Sequence, residues 1–275
     1  MHRIFVICLI AVTVTIANAQ SDFVNRGTSW MSKDDLERAI KDSNIYITFH
    51  PDSATAYNNR GRLLQAHGQF GKALDDYNRA IRIKPGFAAA LVNRASIHFF
   101  KGQLAEALSD LNRAIAIDPR NATAYTNRGV IRIGQGDFEG ANSDHNKAIH
   151  LEPKLALAYY NRAVLQLSKR NLQLALADLT RAVELDRTFT NAYINRGSVY
   201  LALEQVELAL QDYSRAIVLD PENAAAYQNR GIAYLLLGRE SEAERDFTRC
   251  LQLDGSAQPV IDAAKKSRLK QVKQN

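Results

Sequence analysis

Cysteine is scarce in this sequence: only two of its 275 residues are cysteines, Cys8 and Cys250. Cys8 lies within the apolar stretch at the N-terminus, so the rest of the chain holds a single thiol. One thiol cannot form an internal disulfide, which excludes the class of small exported domains that disulfides hold together. We therefore expect the stability of this chain to come from packing.

Long apolar runs are also scarce, and the one present extends from Ile4 to Ile16. It follows the basic start Met1-His2-Arg3 and precedes Ala17-Asn18-Ala19, a small-x-small pattern. The run is too short for a membrane-spanning helix, which requires roughly 20 residues. The arrangement predicts a signal peptide, residues 1–19, that is cleaved after Ala19, with a retained membrane anchor as the alternative. We expect export to the periplasm of a bacterium, or secretion.

Most of the chain carries no excess of positive or negative charge. The formal net charge is +6, but residues 258–275 hold five cations against the single acid Asp262, namely Lys265, Lys266, Arg268, Lys270 and Lys273. The rest of the chain is close to neutral, which argues against a nucleic-acid partner. The terminal segment predicts a helix that caps the fold or, as the alternative, a basic tail that contacts anionic lipid or polymer. Any membrane contact would be confined to this tail.

What the sequence does contain is a repeat of 34 residues. The segment Ala226-Tyr227-Gln228-Asn229-Arg230-Gly231 has a counterpart at every step of 34 residues, back to Phe23-Val24-Asn25-Arg26-Gly27. A period of this length predicts a solenoid in which each copy packs only on its neighbours. Seven copies follow one another without an insertion, at 20–53, 54–87, 88–121, 122–155, 156–189, 190–223 and 224–257.

The residues that recur within each copy describe two closely packed helices. Position 8 is glycine or alanine and position 20 is alanine in all seven copies, so two backbones can approach each other. Bulky residues at positions 4, 10, 24 and 28, such as Tyr57 and Tyr77, fill the seam between them. Glycine at position 15 and proline at position 32 are typical of turns that follow a helix. Each copy therefore reads as helix A, turn, helix B, turn.

This pattern resembles the tetratricopeptide repeat (TPR) family, which has small residues at positions 8, 20 and 27 and a proline at 32. The resemblance covers residues 20–257 and implies an all-α fold, a right-handed α-solenoid of stacked antiparallel helix pairs. The sequence departs from the family pattern at Ser43 and His145 (position 24), at Arg187 and Gly255 (position 32) and at Tyr46 (position 27). Such departures are typical of degenerate or end-capping copies.

Position 7 is arginine and position 23 is aspartate in every copy. In an antiparallel helix pair these positions lie about one residue out of register, which predicts a repeated ion pair at the seam between helices A and B, or between neighbouring copies. A guanidinium suits such a pair because its fork can bond a carboxylate twice. Because all copies carry the pair equally, the prediction is structural rather than catalytic. The predicted pairs are Arg60/Asp76, Arg94/Asp110, Arg128/Asp144, Arg162/Asp178, Arg196/Asp212 and Arg230/Asp246.

Position 6 is asparagine in every copy, and the family resemblance places it on the concave groove that the A helices line. The amides could bond an extended peptide backbone, or each amide could brace the loop of the adjacent copy. Other groove positions carry apolar side chains, which we expect to face water and contact a partner. The groove residues predicted to bind a protein or peptide partner are Asn59, Asn93, Asn127, Asn161, Asn195, Asn229, Tyr160, Val164, Leu167, Ile194, Leu201 and Ile232.

Motifs for catalysis are missing. The histidines do not recur at ligand spacing, and the sequence has no phosphate-binding glycine loop, no zinc-protease helix motif and no nucleophile elbow. We expect no catalytic residue, no metal and no cofactor. The predicted function is that of an exported, non-enzymatic scaffold that binds a partner in its concave groove. The alternative is an envelope assembly factor that acts through its convex face or its basic tail.

Overall fold

The computed structural model describes residues 31–272, with side chains described as far as residue 268. Within that range the chain forms fourteen α-helices and one short 3₁₀ helix, and no strand. The predicted all-α class of stacked helix pairs is confirmed. The described residues up to Pro153 form one compact unit, and those from Lys154 onward form another. The predicted signal peptide and the A helix of the first copy lie outside the described residues.

The N-terminal unit contains seven helices. The B helix of the first copy is α1 (Lys33–Phe49), and the next three copies each contribute an A and a B helix. Each A helix of this unit packs on the B helix of its own copy and on the B helix of the copy before it. These helices are α2 (Ala54–Ala66), α3 (Phe70–Ile83), α4 (Ala88–Phe100), α5 (Leu104–Ile117), α6 (Ala122–Gly134) and α7 (Phe138–Leu151).

The C-terminal unit repeats the same arrangement in three further copies. Its paired helices are α8 (Ala156–Ser168), α9 (Leu172–Leu185), α10 (Thr190–Ala202), α11 (Val206–Leu219), α12 (Ala224–Leu236) and α13 (Glu240–Leu253). A 3₁₀ turn, Gly255–Ala257, then leads into α14 (Gln258–Val272), which packs on α12. Ile261 and Ala264 of α14 are buried in the same core as Phe247 and Cys250. Helix α14 therefore covers the apolar face that the last copy would otherwise expose.

The turn between helices A and B needs a left-handed residue at position 15. Glycine supplies it at four copies, with φ angles of 75–79° at Gly68, Gly102, Gly136 and Gly238. Arg170 and Glu204 occupy the same position in copies five and six, with φ angles of 61° and 62°. Side chains rarely adopt this conformation, because Cβ approaches the following carbonyl oxygen. The turn geometry is thus retained even where the sequence does not favour it.

The seam between helices A and B depends on matched side-chain sizes at positions 8 and 24. A Cβ atom added at any described position-8 glycine would lie 2.5–2.7 Å from the ring at position 24, as at Gly231 against Phe247. Where position 8 is alanine, at Ala95 and Ala163, position 24 is leucine instead. A ring therefore needs glycine opposite it, and the smaller leucine allows a methyl group. His145 follows this rule: it is fully buried against Gly129.

Candidate partner-binding surface

The arginine at position 7 meets the aspartate of its own copy in all six copies that the structure describes. Nε donates to Oδ2 at 2.7–2.9 Å, and Nη2 donates to Oδ1 at 2.6–2.8 Å. Of the two placements that the sequence left open, this is the seam between helices A and B. The pairs are Arg60–Asp76, Arg94–Asp110, Arg128–Asp144, Arg162–Asp178, Arg196–Asp212 and Arg230–Asp246.

The same guanidinium also reaches the preceding copy, a contact that the sequence analysis missed. In the N-terminal unit Nη1 donates to the amide oxygens of Asn44, Asn78 and Asn112 at 2.7–2.9 Å. In the C-terminal unit Arg230 donates to the Ser214 hydroxyl at 3.2 Å. All these acceptors occupy position 25, which is asparagine, serine or threonine in every copy. This recurrence in the sequence could have predicted the contact. The arginine therefore ties three helices together.

Tyrosine at position 4 completes the surroundings of this arginine. In five copies the guanidinium carbon lies 5.4–5.8 Å from the centroid of the tyrosine ring, within the range of a cation–π contact. Hydrogen bonds to the aspartates raise the pKa of Arg60, Arg94, Arg128, Arg162 and Arg230 above their ordinary value, against the opposing effect of burial. The guanidinium remains charged, and both carboxylate oxygens accept hydrogen bonds from it. We call this arrangement the arginine node.

The asparagines at position 6 divide into accessible and buried members. Asn59 is exposed and Asn93 is half-buried, whereas Asn127, Asn161, Asn195 and Asn229 are only 1–4% exposed. Asn93 Nδ2 donates to Asn58 Oδ1 at 2.9 Å, and Asn195 Nδ2 donates to Tyr160 Oη at 3.3 Å. Both acceptors occupy position 5 of the preceding copy. In these two copies the amide braces the neighbouring A helix, although we expected bracing of a loop.

The apolar groove residues were expected to face water, but they are buried. The six of them are between 0 and 7% exposed: Tyr160, Val164, Leu167, Ile194, Leu201 and Ile232. The reason is that they fill the space between elements of the C-terminal unit. Ile194, Leu201 and Ile232 belong to its main core, and the Tyr160 ring lies 4.6 Å from the Phe189 ring. The expectation of exposure was wrong, while contact of these residues with a partner stays a prediction.

One stripe of each A helix, at positions 2, 6, 9 and 13, changes its accessibility along the chain. On α2 three of its four members, Thr55, Asn59 and Arg62, are exposed. On α4 Asn93 is half-buried and Phe100 is 55% exposed. In the copies from α8 onward the members at positions 6 and 9 are buried. We call the part of this surface on α2 and α4 the A-helix stripe. It is polar at its accessible members on α2 and at Asn93, apolar at Ala89 and Phe100, and buried at Ser96, while Thr123 and Gly134 at the same positions of α6 are exposed as well.

The remaining ionisable candidates are packed into the core or serve the cap. Cys250 is fully buried, and burial raises the pKa of its thiol to about 11. Lys265 of α14 pairs with Glu244 at 2.6 Å and lies over the Phe247 ring, so this cation of the tail contacts the last copy. No group of three or more potential metal ligands occurs among the described residues. None of the described helices combines the length and apolarity needed to span a membrane.

Sequence models of one repeat type match most of the chain. A model described as TPR repeat matches residues 96–136 and 197–238. Three models described as tetratricopeptide repeat match residues 54–87, 126–188 and 224–257. These matches follow the copy boundaries at both 54–87 and 224–257. Among curated proteins, none matches this chain.

Solved structures share the fold at low sequence identity. The Cut9–Hcn1 hetero-tetramer of the APC/C is similar with a TM-score of 0.77 and 18% identity over 85% of this chain, which spans 46% of that one. PilF of Pseudomonas aeruginosa has a TM-score of 0.68 and 18% identity over 78% of this chain and 97% of its own. YrrB, a TPR protein with an unusual peptide-binding site, has a TM-score of 0.53 and 23% identity over 69% of this chain and 97% of its own. At these identities the likeness shows the fold alone.

Proposed function

Because the chain belongs to the tetratricopeptide repeat family, we propose that it is an exported, non-enzymatic scaffold that holds a protein partner or an extended peptide on its A helices. The TPR fold generally binds protein or peptide partners. If the binding surface of this chain is preformed, no segment of the chain has to fold before a partner binds. The arginine node supports this view, because it fixes each described A helix to the B helix of its own copy and, at Arg60, Arg94, Arg128 and Arg230, also to the preceding B helix. A preformed surface loses little conformational entropy when a partner binds.

The observation that carries the proposal is the accessibility of the A-helix stripe on α2 and α4. Asn59 and Arg62 are exposed next to each other along α2, and Asn93 continues the row on α4. An amide offers two donors and an acceptor, and a guanidinium offers further donors, so this row suits the main chain of an extended peptide. Phe100, at the end of the α4 stripe, would supply an apolar contact.

Catalysis finds little support in the same geometry. The carboxylates that recur through the chain, such as Asp110, each accept two hydrogen bonds from one guanidinium. A carboxylate held in this way is a poor general base, because its charge is already stabilised by its partner. Six equivalent copies would also be unusual for an active site.

Site-specific photocrosslinking in cells tests the binding surface. A photoreactive residue is placed at Asn59, at Arg62 or at Asn93, with Glu106 on the B helix α5 as an exposed control. The captured partner is identified by mass spectrometry, then purified and its affinity measured. We expect crosslinks from the three stripe positions and none from the control. Equal capture from Glu106 would place the interface elsewhere and contradict the proposal.

Charge substitution gives the matching affinity test. Asn59→Asp with Arg62→Glu should weaken binding of the captured partner at least tenfold, since both side chains are exposed and the fold should tolerate the change. Glu106→Lys is the control, with unchanged affinity. Aspartate at Tyr160, Val164 or Ile194 would make a poorer test, because a charge buried there would destabilise the fold as well. Unchanged affinity in the stripe variant, with its helical content intact, would refute the assignment.

Export is tested separately by fractionation. We expect the protein to appear in the periplasmic fraction or in the medium. N-terminal sequencing of that fraction should show a mature chain that begins at Gln20. A protein that retains Met1 to Ala19 and sediments with membranes would support the retained anchor. A protein that remains inside the cell would refute export.

A further inference from the structure

A cavity of about 460 Å³ lies in the N-terminal unit, on the side of α2 away from the A-helix stripe. Leu64, which is 5% exposed, and Ile40 supply its apolar lining, and the paired side chains Arg60 and Asp76 form one wall. Asn44, Gln69, Lys72 and Asp75 add polar groups to the lining. This volume falls within the range of about 300–1,000 Å³ that is common for ligand pockets. An apolar lining with a few polar groups is also common in such pockets.

The copy that borders the cavity has a shorter side chain at position 11 than the later copies. Position 11 is Leu64 here, but a longer polar or aromatic side chain in all later copies: His98, Arg132, Gln166, Tyr200 and Tyr234. In copy four Arg132 bonds the aspartate of the arginine node at 2.9 Å. In copies six and seven the tyrosine at position 11 lies beside the node's guanidinium. Leu64 is too short to fill the equivalent space, and it offers no polar group to the node.

The node that borders the cavity lacks the second ring that the nodes of copies six and seven have. Arg196 has two tyrosine rings near its guanidinium, Tyr193 at 5.6 Å and Tyr200 at 5.8 Å. Arg230 has two rings in the same way, at 5.8 and 5.9 Å. Arg60 has the ring of Tyr57 at 5.6 Å, while position 11 contributes leucine. Two of the five later copies thus place a phenol ring at position 11 beside the guanidinium of the node.

From this comparison we infer that the cavity bordered by Arg60 and Leu64 binds a phenol ring, the side chain of a tyrosine presented by a partner protein. The ring takes the place that Tyr200 has in copy six, against Leu64 and Ile40 and beside the Arg60 guanidinium. A cation beside a desolvated aromatic ring adds to the apolar contact. The polar lining groups Gln69, Lys72 and Asp75 are the candidates to bond the phenol hydroxyl. This site is distinct from the A-helix stripe and does not depend on it.

The test uses 4-methylphenol, the side-chain analogue of tyrosine, added to the mature chain from residue 20 to residue 275. Binding is followed by NMR through the Nε–H resonance of Arg60, with the corresponding resonances of Arg196 and Arg230 as internal controls. We expect a saturable shift at Arg60 and none at the other two, where the chain's own tyrosine occupies the space. No saturable shift at Arg60, or equal shifts at all three arginines, would overturn the inference.

Two variants check that the space itself is responsible. Leu64→Tyr should abolish the shift, or weaken binding at least tenfold, because the new ring occupies the cavity. Leu64→Gln introduces the residue that copy five carries at position 11, should also weaken binding, and remains informative if the tyrosine variant does not fold. Leu64→Met, which stays apolar and similar in volume, is the matched control and should bind within threefold of the wild type. Undiminished binding in a folded Tyr or Gln variant would refute the site.

The chemical class of the ligand is tested with a second probe. Methylcyclohexane has a similar apolar bulk but neither a π face nor a hydroxyl group, so it should bind at least tenfold more weakly than 4-methylphenol. Equal binding of both probes would show a merely apolar cavity and would contradict a tyrosine as its occupant. If the probe binds as expected, a tyrosine of the crosslinked partner becomes the residue to replace with leucine in that partner. Failure of the stripe variants would not affect this result, since those experiments probe the other side of α2.

Discussion

Replacing Arg94 by methionine should destabilise the chain by about 3 kcal/mol, because it removes the donors of one arginine node. The Asp110 side chain is 7% exposed and accepts two bonds from Arg94, at 2.6 and 2.7 Å. A third bond, to Asn78, joins the node to the preceding copy. Breaking a buried pair by removing one partner costs about 3–5 kcal/mol. We take the lower end because the Arg94 side chain is 21% exposed, so water can partly replace it.

The double variant separates the cost of leaving one charge without its partner from the net contribution of the ion pair to stability. Arg94→Met combined with Asp110→Leu removes both charges and fills a similar volume, so the free energy of unfolding should return to within about 1 kcal/mol of the wild type. Together with the single variant Asp110→Leu, which completes the cycle, the coupling between the two positions should be at least about 2 kcal/mol, toward the upper end of the usual range for residues in direct contact. Arg120→Met is the control, since Arg120 is exposed in a turn and should change the stability by less than about 0.5 kcal/mol.

The measurement is urea unfolding followed by circular dichroism, with the m-value compared among all variants. An unchanged m-value is needed because repeat proteins can lose cooperativity between copies. If Arg94→Met costs less than about 1 kcal/mol and shows no coupling to Asp110, the node contributes little to stability. The proposal that it rigidifies the A helices would then lose its physical basis.

Three further expectations concern single positions. Glu204→Gly should raise the free energy of unfolding by about 1 kcal/mol by relieving a positive φ angle, whereas Gln211→Gly, at an exposed position in the middle of α11, should lower it by a similar amount; thermal melts would show both. Between about pH 9 and 11 the Cys250 thiol loses its proton in the unfolded chain but keeps it in the folded chain, because burial raises the pKa of this thiol to about 11 in the folded state. Stability should therefore fall with rising pH, more in the wild type than in Cys250→Ala, and equal slopes would contradict this. Gly231→Ala should cost about 1–3 kcal/mol because its methyl group would clash with Phe247, and Phe247→Leu should recover part of that loss; simple additivity in urea titrations would argue against a clash.

The helical framework could be predicted well from the sequence because the same residue pattern recurs in every copy. Alanine at position 20 and glycine at position 15 recur often enough to define both helices and the turn between them. The same regularity identified the partners of the arginine node. It should also have identified position 25, where a short polar residue recurs and where the node reaches the preceding copy. That contact was missed because its partner lies in another copy.

Accessibility could not be predicted in this way. Periodicity fixes which face of a helix a residue occupies, but exposure depends on how closely the next A helix packs. Asn59 and Asn161 occupy the same position of their copies, yet Asn59 is exposed and Asn161 is buried. Likewise, the cavity beside Leu64 lies where the side chain at position 11 differs in length between copies. Such differences matter only once the surrounding volume is known.

The arginine node has a consequence for how this chain can change in length. Each arginine bonds the aspartate sixteen residues ahead of it and, where the contact to the preceding copy forms, a polar residue sixteen behind it. Deleting or duplicating a block of 34 residues therefore joins an arginine to partners of the same kind, whichever block is chosen. An in-frame recombination between two copies would leave every remaining guanidinium with its carboxylate. The array can thus gain or lose whole units in evolution without first passing through an intermediate that buries an unpaired charge.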